Sequence, residues 1–255
     1  MEPTPRQSRI IDLARRRGRV GVDALADDFG VTPQTIRRDL NELCQRGVLS
    51  RVHGGAVLAH SVSNFGYQAR RVLAADGKRW IGERAAALIP DDCSLFINIG
   101  TTTEQVARAL QGHKDLVVIS NNVNVINILN DSPGIEVIVA GGLVRKSDGG
   151  ILGEAAVEFI RQFKVDYAVI GTSAIDSDGA LLDYDFREVK VAQAILENAR
   201  HSILVADAMK WERTAPMRIT ELGAMDAFVT DQPPPLHLRR ICREGDVQLE
   251  FPPEA

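Results

Sequence analysis

The sequence predicts a two-domain α/β protein, in which a winged helix-turn-helix of residues 1–58 precedes a doubly wound, largely parallel sheet within residues 76–255. Three short helical segments and a glycine-centred hairpin fill the first part, and short apolar runs alternate with helical segments from Ser94 onward. Residues 1–60 carry ten Lys and Arg against seven Asp and Glu, whereas residues 61–255 carry twenty against twenty-seven. We therefore expect the basic N-terminal part and the acidic remainder of the chain to bind different partners.

The bulk composition excludes several classes of protein. Of the 255 residues, 45% are apolar and 25% are charged, which is typical of a folded globular protein rather than a disordered chain. No run approaches the roughly 20 apolar residues of a membrane span, so we expect a cytoplasmic protein without membrane contact. Cys44, Cys93 and Cys242 are far apart and not grouped with histidines, so neither a disulfide framework nor a metal site is predicted.

Two helices are predicted before residue 31. Apolar residues recur at helical spacing in residues 7–17, and Gly18 ends that segment. A second helix fits Val22–Phe29 and is followed by Gly30, at the position where helices commonly end in left-handed backbone geometry.

A third helix has the most clearly marked start in the chain. Thr32 is a good N-cap residue, and Pro33 stands at the first helical position, where its missing N–H costs nothing. Ile36, Leu40 and Leu43 then form one buried stripe, because they recur every three to four residues. The side chains left on or beside the outer face are Thr32, Gln34, Thr35, Arg37, Arg38 and Asn41.

These outer side chains are predicted to contact double-stranded DNA in the major groove. Arg binds guanine in a bidentate manner, Gln does the same with adenine, and Thr contacts a thymine methyl group or a phosphate. Strands predicted at residues 48–51 and 56–58 form a wing, whose Arg51 and His53 are expected along the DNA backbone or minor groove. His53 fits an ordinary turn equally well. The alternative for the whole segment is a three-helix packing module whose arginines are merely solvated.

The amino-acid sequence of this segment resembles that of the DeoR family of bacterial repressors. The matching residues are 33–43, with the sequence PQTIRRDLNEL, followed by residues 47–49 and 53–56. The resemblance implies an operator of double-stranded DNA as partner. It also implies a C-terminal sensor of a small phosphorylated sugar or polyol, with a fold that resembles sugar-phosphate isomerases.

The second domain begins after a predicted linker. Residues 59–75 mix Ser, Asn, Gly and Ala without a clear period, so we place the linker there, and a helix at residues 78–88 follows it. Strands are then predicted at residues 94–99, 116–120, 135–140, 167–170, 202–206 and 227–229.

Glycines and small polar residues follow these strands at their carboxyl ends, where open α/β sheets bind ligands. Residues 100–103 are the strongest candidate for an anion-binding loop, which we call the anion cradle. Gly100 lets a ligand come close to the backbone, and the threonine hydroxyls can donate hydrogen bonds to it. The helix predicted at 104–110 also begins with free N–H groups, which favour an anion. The alternative is that one threonine only caps that helix. The effector contacts predicted from these loops are Gly100, Thr101, Thr102, Thr103, Asn121, Asn122, Gly141, Gly142 and Gly171.

A further polar stretch, residues 145–153, is expected to close over the ligand. Its predicted effector contacts are Arg145, Asp148, Gly149 and Gly150, although Arg145 and Lys146 face either phosphate or solvent. Residues 174–179 lack the distal bidentate Glu and the spacing of a calcium loop, so they are predicted to form a turn.

The resemblance to the DeoR family continues through the second domain. It covers residues 98–102, 121–122, 140–142, 148–153 and 175–179, and Asp207 followed by Lys210. It implies Glu188 and Lys210 as charged effector contacts. Where the family commonly has a Lys-Arg pair after Glu188, this chain has Ala192 and Gln193.

Four stretches are most similar to family members that control glycerol use, namely residues 148–154, 175–182, 195–201 and 231–235. This similarity implies glycerol 3-phosphate as the effector and a homodimer or homotetramer as the assembly.

An isomerase-like enzyme is the main alternative to a regulator. Proton transfer at a sugar carbon needs a positioned base, and Asp178, Asp183, Glu188 and Lys210 are the candidates. Their spacing establishes no catalytic set, and neither a nucleophile elbow nor a Walker loop is present in the sequence. A DNA-reading module also has no evident purpose in an isomerase. The sequence therefore favours a repressor without a cofactor over an enzyme, and over a partner-binding adaptor that does not bind DNA.

Overall fold

The computed structural model describes residues 3–17, 19–46, 48–52, 54–58 and 67–253, and the chain divides into two compact units between Leu73 and Ala74. His53 and residues 59–66 of the predicted linker lie outside the described residues, as does the side chain of Arg51.

The first unit contains the three predicted helices. Helix α1 spans Pro5–Arg17, α2 spans Val22–Phe29 and α3 spans Pro33–Gln45. Gly30 ends α2 with a φ of 61°, a conformation that glycine adopts without the steric cost of a Cβ. The Thr32 side chain caps α3 by accepting a hydrogen bond from the Thr35 N–H. The buried stripe of Ile36, Leu40 and Leu43 is confirmed, since all three are fully buried.

The wing contains one more strand than the sequence predicted. Strand β1 spans Arg19–Gly21, β2 spans Leu49–Val52 and β3 spans Gly55–Leu58. The β2–β3 hairpin was expected, but β1 also pairs antiparallel with β3 and completes a three-stranded sheet in the order β1-β3-β2. A three-residue strand that contains a glycine gives too short a pattern for recognition from sequence.

The predicted linker and the helix after it need correction. Helix α4, Tyr67–Val72, lies within the segment predicted to be an irregular linker, and α5 spans Ala75–Ala86 instead of residues 78–88. Ala74, the N-cap residue of α5, has a left-handed φ of 52°, and its carbonyl accepts a hydrogen bond from the Lys78 N–H, 2.9 Å away.

The second unit is built on a parallel sheet, as predicted, but the sheet has seven strands, because β15 joins the six that the sequence predicted. Its order is β15-β14-β12-β9-β4-β5-β6, and every neighbouring pair is parallel. The strands are β4 (Cys93–Ile97), β5 (Leu116–Ser120), β6 (Ile135–Val139), β9 (Val165–Ile170), β12 (Ala199–Val205), β14 (Ala227–Val229) and β15 (Gln248–Glu250). The chain winds outward in both directions from β4 and β9, so the switch point of the sheet lies between these two strands.

Helices cover both faces of this sheet because its strands alternate between two apolar sets. Leu95 and Ile97 pack with helices α5, α6 (Thr103–Ala109) and α7 (Val123–Leu129). Phe96, which points to the other face, packs with α8 (Glu154–Ile160), α9 (Phe186–Glu197) and α10 (Leu236–Glu244). The period of two along β4 therefore separates two cores, as expected for a doubly wound domain.

Two small antiparallel elements were not predicted. Strands β7 (Leu143–Val144) and β8 (Ile151–Leu152) form a hairpin after β6. Strands β10 (Ala174–Ile175), β11 (Ala180–Asp183) and β13 (Met217–Glu221) form a separate sheet, with the predicted turn before Gly179 connecting β10 to β11. No helix in the described part of the chain has the length and apolar character needed to span a lipid bilayer.

Candidate functional site

The outer face of α3 presents the predicted nucleic-acid contacts. Gln34, Arg37, Arg38 and Asn41 are exposed, as is Thr32 at the helix start. Thr35 is half-buried, and its hydroxyl lies 3.0 Å from that of Thr32. The two threonines therefore belong to the cap that fixes the start of the helix, and the exposed polar side chains follow directly behind it.

The inner side of α3 carries a buried ionic network that sequence reasoning missed. Asp39 is buried, and its carboxylate accepts a hydrogen bond of 2.6 Å from Arg6 Nε. Gln7 Nε2 lies 3.4 Å from the same carboxylate and 2.7 Å from Glu42 Oε2. Both Arg6 and Gln7 belong to α1, so charged groups as well as apolar packing fix α3 against α1.

In the second unit, the predicted anion cradle follows β4 at the switch point of the sheet. Residues 101–103 are buried and Gly100 is half-buried. The Thr103 hydroxyl donates to the carbonyls of Asn98 and Gly100, at 2.7 Å and 2.8 Å. The Thr103 hydroxyl proton is therefore used within the loop itself, and the contact of Thr103 with an effector stays a prediction.

The alternative role, in which one threonine caps the following helix, falls on Thr102 by position. Helix α6 begins at Thr103, and Thr102 is its N-cap residue but makes no capping hydrogen bond through its side chain. Gly171, which follows β9, adjoins this loop, because a Cβ on Gly171 would lie 3.8 Å from Thr103 Cγ2. The loops after β4 and β9 are thus neighbours at the place where open α/β sheets bind ligands.

The two asparagines after β5 have different roles. Asn122 caps α7, since its Oδ1 accepts a hydrogen bond of 2.9 Å from the Asn124 N–H. Asn121 is buried and donates through Nδ2 to the Ile151 carbonyl at 3.2 Å. The other amide atom, Oδ1, is buried and makes no hydrogen bond with the described residues. Asn121 therefore retains an acceptor beside the predicted cradle.

Arg145 contacts three carboxylates, and its predicted contact with the effector stays a prediction. Its guanidinium pairs with both oxygens of Asp148, at 2.9 Å and 2.6 Å, and with Asp185 at 3.3 Å. It also contacts Glu188. Burial raises the pKa of Glu188 to about 7, and the charge of Asp183 adds to this effect, while Arg145 opposes it. Lys146, in contrast, is exposed.

The loop of residues 145–150 is anchored at both ends. The Arg145 N–H donates to the Gly150 carbonyl at 2.7 Å, and the Gly149 carbonyl accepts from the Val123 N–H at 3.0 Å. Gly150 is buried, and Gly149 has a φ of 75°. Gly141 and Gly142 are exposed and lead into the β7–β8 hairpin. The polar segment is therefore held against the end of β5 and the start of α7 up to Ile151, whose N–H donates to the Asn121 carbonyl at 2.7 Å.

A second charged cluster follows β12. Asp207 is buried, and its Oδ2 lies 3.6 Å from Nζ of Lys78, which is buried as well. Burial favours the neutral carboxyl, but Lys210 and Lys78 outweigh it and lower the pKa of Asp207. Lys210 was a predicted contact and is also buried. Lys78 was missed, because one lysine in an amphipathic helix has the same pattern as a solvated side chain.

Asp231, after β14, completes this cluster. Burial raises the pKa of its carboxyl, and the charge of Asp207 adds to the rise. Its Oδ1 accepts a hydrogen bond of 2.7 Å from the Ala208 N–H. Gly77 packs so closely on this carboxylate that a Cβ would collide with it.

The four candidates for acid–base catalysis do not share one location. Asp178 is exposed in the β10–β11 turn and pairs with Arg218 at 3.3 Å, so it lies outside the cleft region. Asp183 is buried and accepts a hydrogen bond from the Ser173 hydroxyl, 3.1 Å away, at the end of β9. Asp183, Glu188 and Lys210 therefore remain near the carboxyl ends of the strands, and Asp178 does not.

Comparison with known proteins gives matches to both units. Residues 6–62 match the model of the DeoR-like helix-turn-helix domain, and residues 73–232 match that of the DeoR C terminal sensor domain. A glycerol-3-phosphate regulon repressor of Escherichia coli strain K12 is 43% identical over 251 residues, covering 98% of this chain and 100% of that protein. A Haemophilus influenzae protein of the same name is 43% identical over 92% of this chain and 91% of its own length.

Among solved structures, a D-ribose-5-phosphate isomerase in complex with phospho-erythronic acid is 17% identical, with a TM-score of 0.41. The match covers 54% of this chain and 54% of that one.

Proposed function

The chain belongs to the DeoR family, and we propose on that premise that it is a transcriptional repressor that a small phosphorylated sugar or polyol releases from its operator. We further propose that the effector is glycerol 3-phosphate. Relatives named as glycerol-3-phosphate regulon repressors match nearly the full chain at 43% identity, and this single observation carries the assignment.

The structure of α3 supports the operator-binding half of this proposal. The helix is capped, fixed to α1 through Asp39, and exposes Gln34, Arg37, Arg38 and Asn41. These side chains can read base edges only if their helix is held rigidly, because bidentate contacts demand fixed geometry.

The residues at the carboxyl ends of the parallel strands support the effector-binding part of this proposal. Lys78 and Lys210 place two buried ammonium groups beside Asp207, and the loop after β4 brings backbone groups close to the switch point. A phosphate dianion fits this combination of cations and close backbone. The free Oδ1 of Asn121 suits a ligand hydroxyl, which a glycerol phosphate supplies.

One experiment with two arms tests the function. In the first arm, the Arg37→Ala and Arg38→Ala double variant is expected to lose at least about 1–3 kcal/mol of operator affinity, the amount typical of one base-reading arginine. Arg240→Ala, at an exposed arginine of α10, is the control and should bind normally. Unchanged operator affinity in the double variant would end the DNA-binding proposal.

In the second arm, glycerol 3-phosphate at about 100 times its Kd should raise the Tm of the second unit by about 5–11 °C. Lys210→Met should abolish this shift, whereas Lys114→Met, at an exposed lysine before β5, should retain it. Glycerol and inorganic phosphate, tested separately, show which part of the ligand is recognised. An equal shift in the Lys210→Met variant would contradict the assigned site.

A further inference from the structure

Residues 211–216 connect the two charged clusters at the carboxyl ends of the strands, and we name them the connecting loop. The loop begins after Lys210, which is buried and acts on Asp207. It ends at Met217, which pairs with Asp183 in the β11–β13 ladder, and the charge of Asp183 acts in turn on Glu188. The connecting loop therefore crosses the ligand-binding end of the sheet, although none of its residues was identified from the sequence.

Two contacts hold the connecting loop in place. The Tyr184 hydroxyl donates a hydrogen bond to the Thr214 carbonyl at 2.8 Å. Ala215 is buried and packs with Leu182 of β11, and Tyr184 packs against the same apolar group. Because the backbone is fixed directly after Arg213, the side chain of Arg213 extends from a defined position.

Arg213 is half-buried, and its charge acts on side chains of both neighbouring segments. Burial alone would raise the pKa of Asp207, but the charge of Arg213, with those of two lysines, lowers it. Burial raises the pKa of Tyr184, and the charge of Arg213 opposes this rise. The guanidinium therefore lies near Asp207 as well as Tyr184, at the end of the sheet where the effector is proposed to bind.

Positive charge exceeds negative charge around Asp207. Lys78, Lys210 and Arg213 all act on its carboxylate. Asp231 is the second carboxyl group of this cluster, and burial disfavours its ionisation by raising its pKa. Even with Asp231 ionised, three cations face two carboxylates among the described residues of the cluster. Such an excess of partly desolvated positive charge favours an anionic ligand.

A guanidinium suits a phosphate group better than an ammonium does. Its planar N–H groups can form two parallel hydrogen bonds with two phosphate oxygens, whereas a lysine acts as a point charge. Arg145 also lies near the strand ends, but its guanidinium contacts three carboxylates. A phosphate at Arg145 would therefore be repelled by these groups, whereas a phosphate at Arg213 would have two lysines beside it.

We propose that Arg213 binds the phosphate group of the effector and that Tyr184 positions the loop that carries it. The inference rests on the proposed function, because it adds a contact to the same effector site. The contact selects the phosphorylated ligand over the free polyol, since a neutral polyol would leave the guanidinium without its anion.

Calorimetric titration of the full chain with glycerol 3-phosphate and, separately, with inorganic phosphate tests the role of Arg213. Arg213→Met should weaken the binding of both ligands by at least about tenfold, because hydrogen bonds to an ionised group are lost. Arg213→Lys keeps the charge and should lose less affinity. Arg218→Met is the matched control and should bind like the parent, since Arg218 is exposed in β13 and pairs with Asp178 outside the cleft region.

The role of Tyr184 is tested in the same titration. Tyr184→Phe removes the hydroxyl that holds Thr214 and should weaken the binding of glycerol 3-phosphate by at least about twofold. The same substitution made in the Arg213→Met variant should have no further effect, because Tyr184 acts through Arg213. Additive losses in the double variant would overturn the positioning role.

The two ligands separate this inference from the proposed function. If the parent chain binds inorganic phosphate but not glycerol 3-phosphate, the effector assignment fails and the loss in Arg213→Met still supports the inference. Parental affinity of Arg213→Met for both ligands would overturn the inference and leave the effector assignment intact, even if thermal unfolding showed a lower stability. A parent chain that binds neither ligand would overturn both.

Discussion

At the scale of single residues, Asp207 has the most demanding environment in the second unit. Its carboxylate is buried at the end of β12, between Lys78 of α5 and Lys210 of the following turn. Three ionised groups removed from water are stable only together, because each buried charge needs a compensating partner.

Removal of the Asp207 charge should therefore be costly. We expect Asp207→Asn to lower the free energy of unfolding by about 3–5 kcal/mol at pH 7, because it leaves buried ammonium groups without their carboxylate. Since the pKa of Asp207 is lowered on folding, its contribution is present above pH ~4 and is lost as pH falls through the folded pKa. Urea unfolding at pH 7 and pH 3 should thus show a difference between parent and variant that shrinks in acid.

Asp131→Asn provides the comparison for this prediction. Asp131 is exposed, so its replacement should change stability by less than about 0.5 kcal/mol at either pH. A loss of stability in Asp207→Asn that is as large at pH 3 as at pH 7 would show that ionisation of Asp207 is not the cause.

The residues of the candidate site differ in how well a sequence can reveal them. Gly100 and Asn121 were identified because they follow apolar strands, and parallel strands end at one edge of a sheet. The partners of Arg145 were not identified, because Asp185 and Glu188 lie forty or more residues away and meet it only through the packing of α9. Lys78 was missed for the same reason, because its partner Asp207 lies far from it in the sequence and meets it only in the folded protein.

At the scale of elements, local signals defined the helices of the first unit well. Thr32, Pro33 and Gly30 act within one turn of the chain, so α2 has the predicted bounds and α3 begins where its sequence predicts. The sheet β10-β11-β13 gave no such signal, since β13 pairs with a strand more than thirty residues away. The bounds of β5 and β14 agree with the prediction, because each is a short apolar run with polar residues on both sides.

The cap of α3 has a measurable consequence for that helix. Thr32→Ala should lower the free energy of opening of the first turn of α3 by about 1 kcal/mol, because the Thr35 N–H loses its side-chain acceptor. Amide hydrogen exchange at Thr35 and Ile36 measures this effect directly. Thr32→Ser keeps the oxygen and should exchange nearly as slowly as the parent. Equal exchange rates in the alanine and serine variants would show that the Thr32 hydroxyl does not stabilise the helix.

At the scale of the whole molecule, the proposed function requires that two ligands influence each other. The winged helix-turn-helix and the parallel sheet are separate compact units, with the division between Leu73 and Ala74. A ligand of one unit can alter the affinity of the other only if it prefers one of two arrangements of the protein.

This coupling must be reciprocal. If glycerol 3-phosphate lowers operator affinity by a factor within the usual range of about 5–150, the operator must lower effector affinity by the same factor. Calorimetric titration of the effector, with and without saturating operator, gives both values. Identical effector affinities in the two titrations would rule out induction through this protein, whatever its affinity for DNA.

The first turn of α5 holds a strained backbone residue at the start of the second unit. Ala74 holds a left-handed backbone that costs an alanine on the order of 1–2 kcal/mol, so neighbouring contacts must maintain it. Gly77 and Lys78 fasten that turn to Asp231 and Asp207. An anion that attracted Lys78 away from Asp207 would release this restraint and let Ala74 relax to an ordinary conformation.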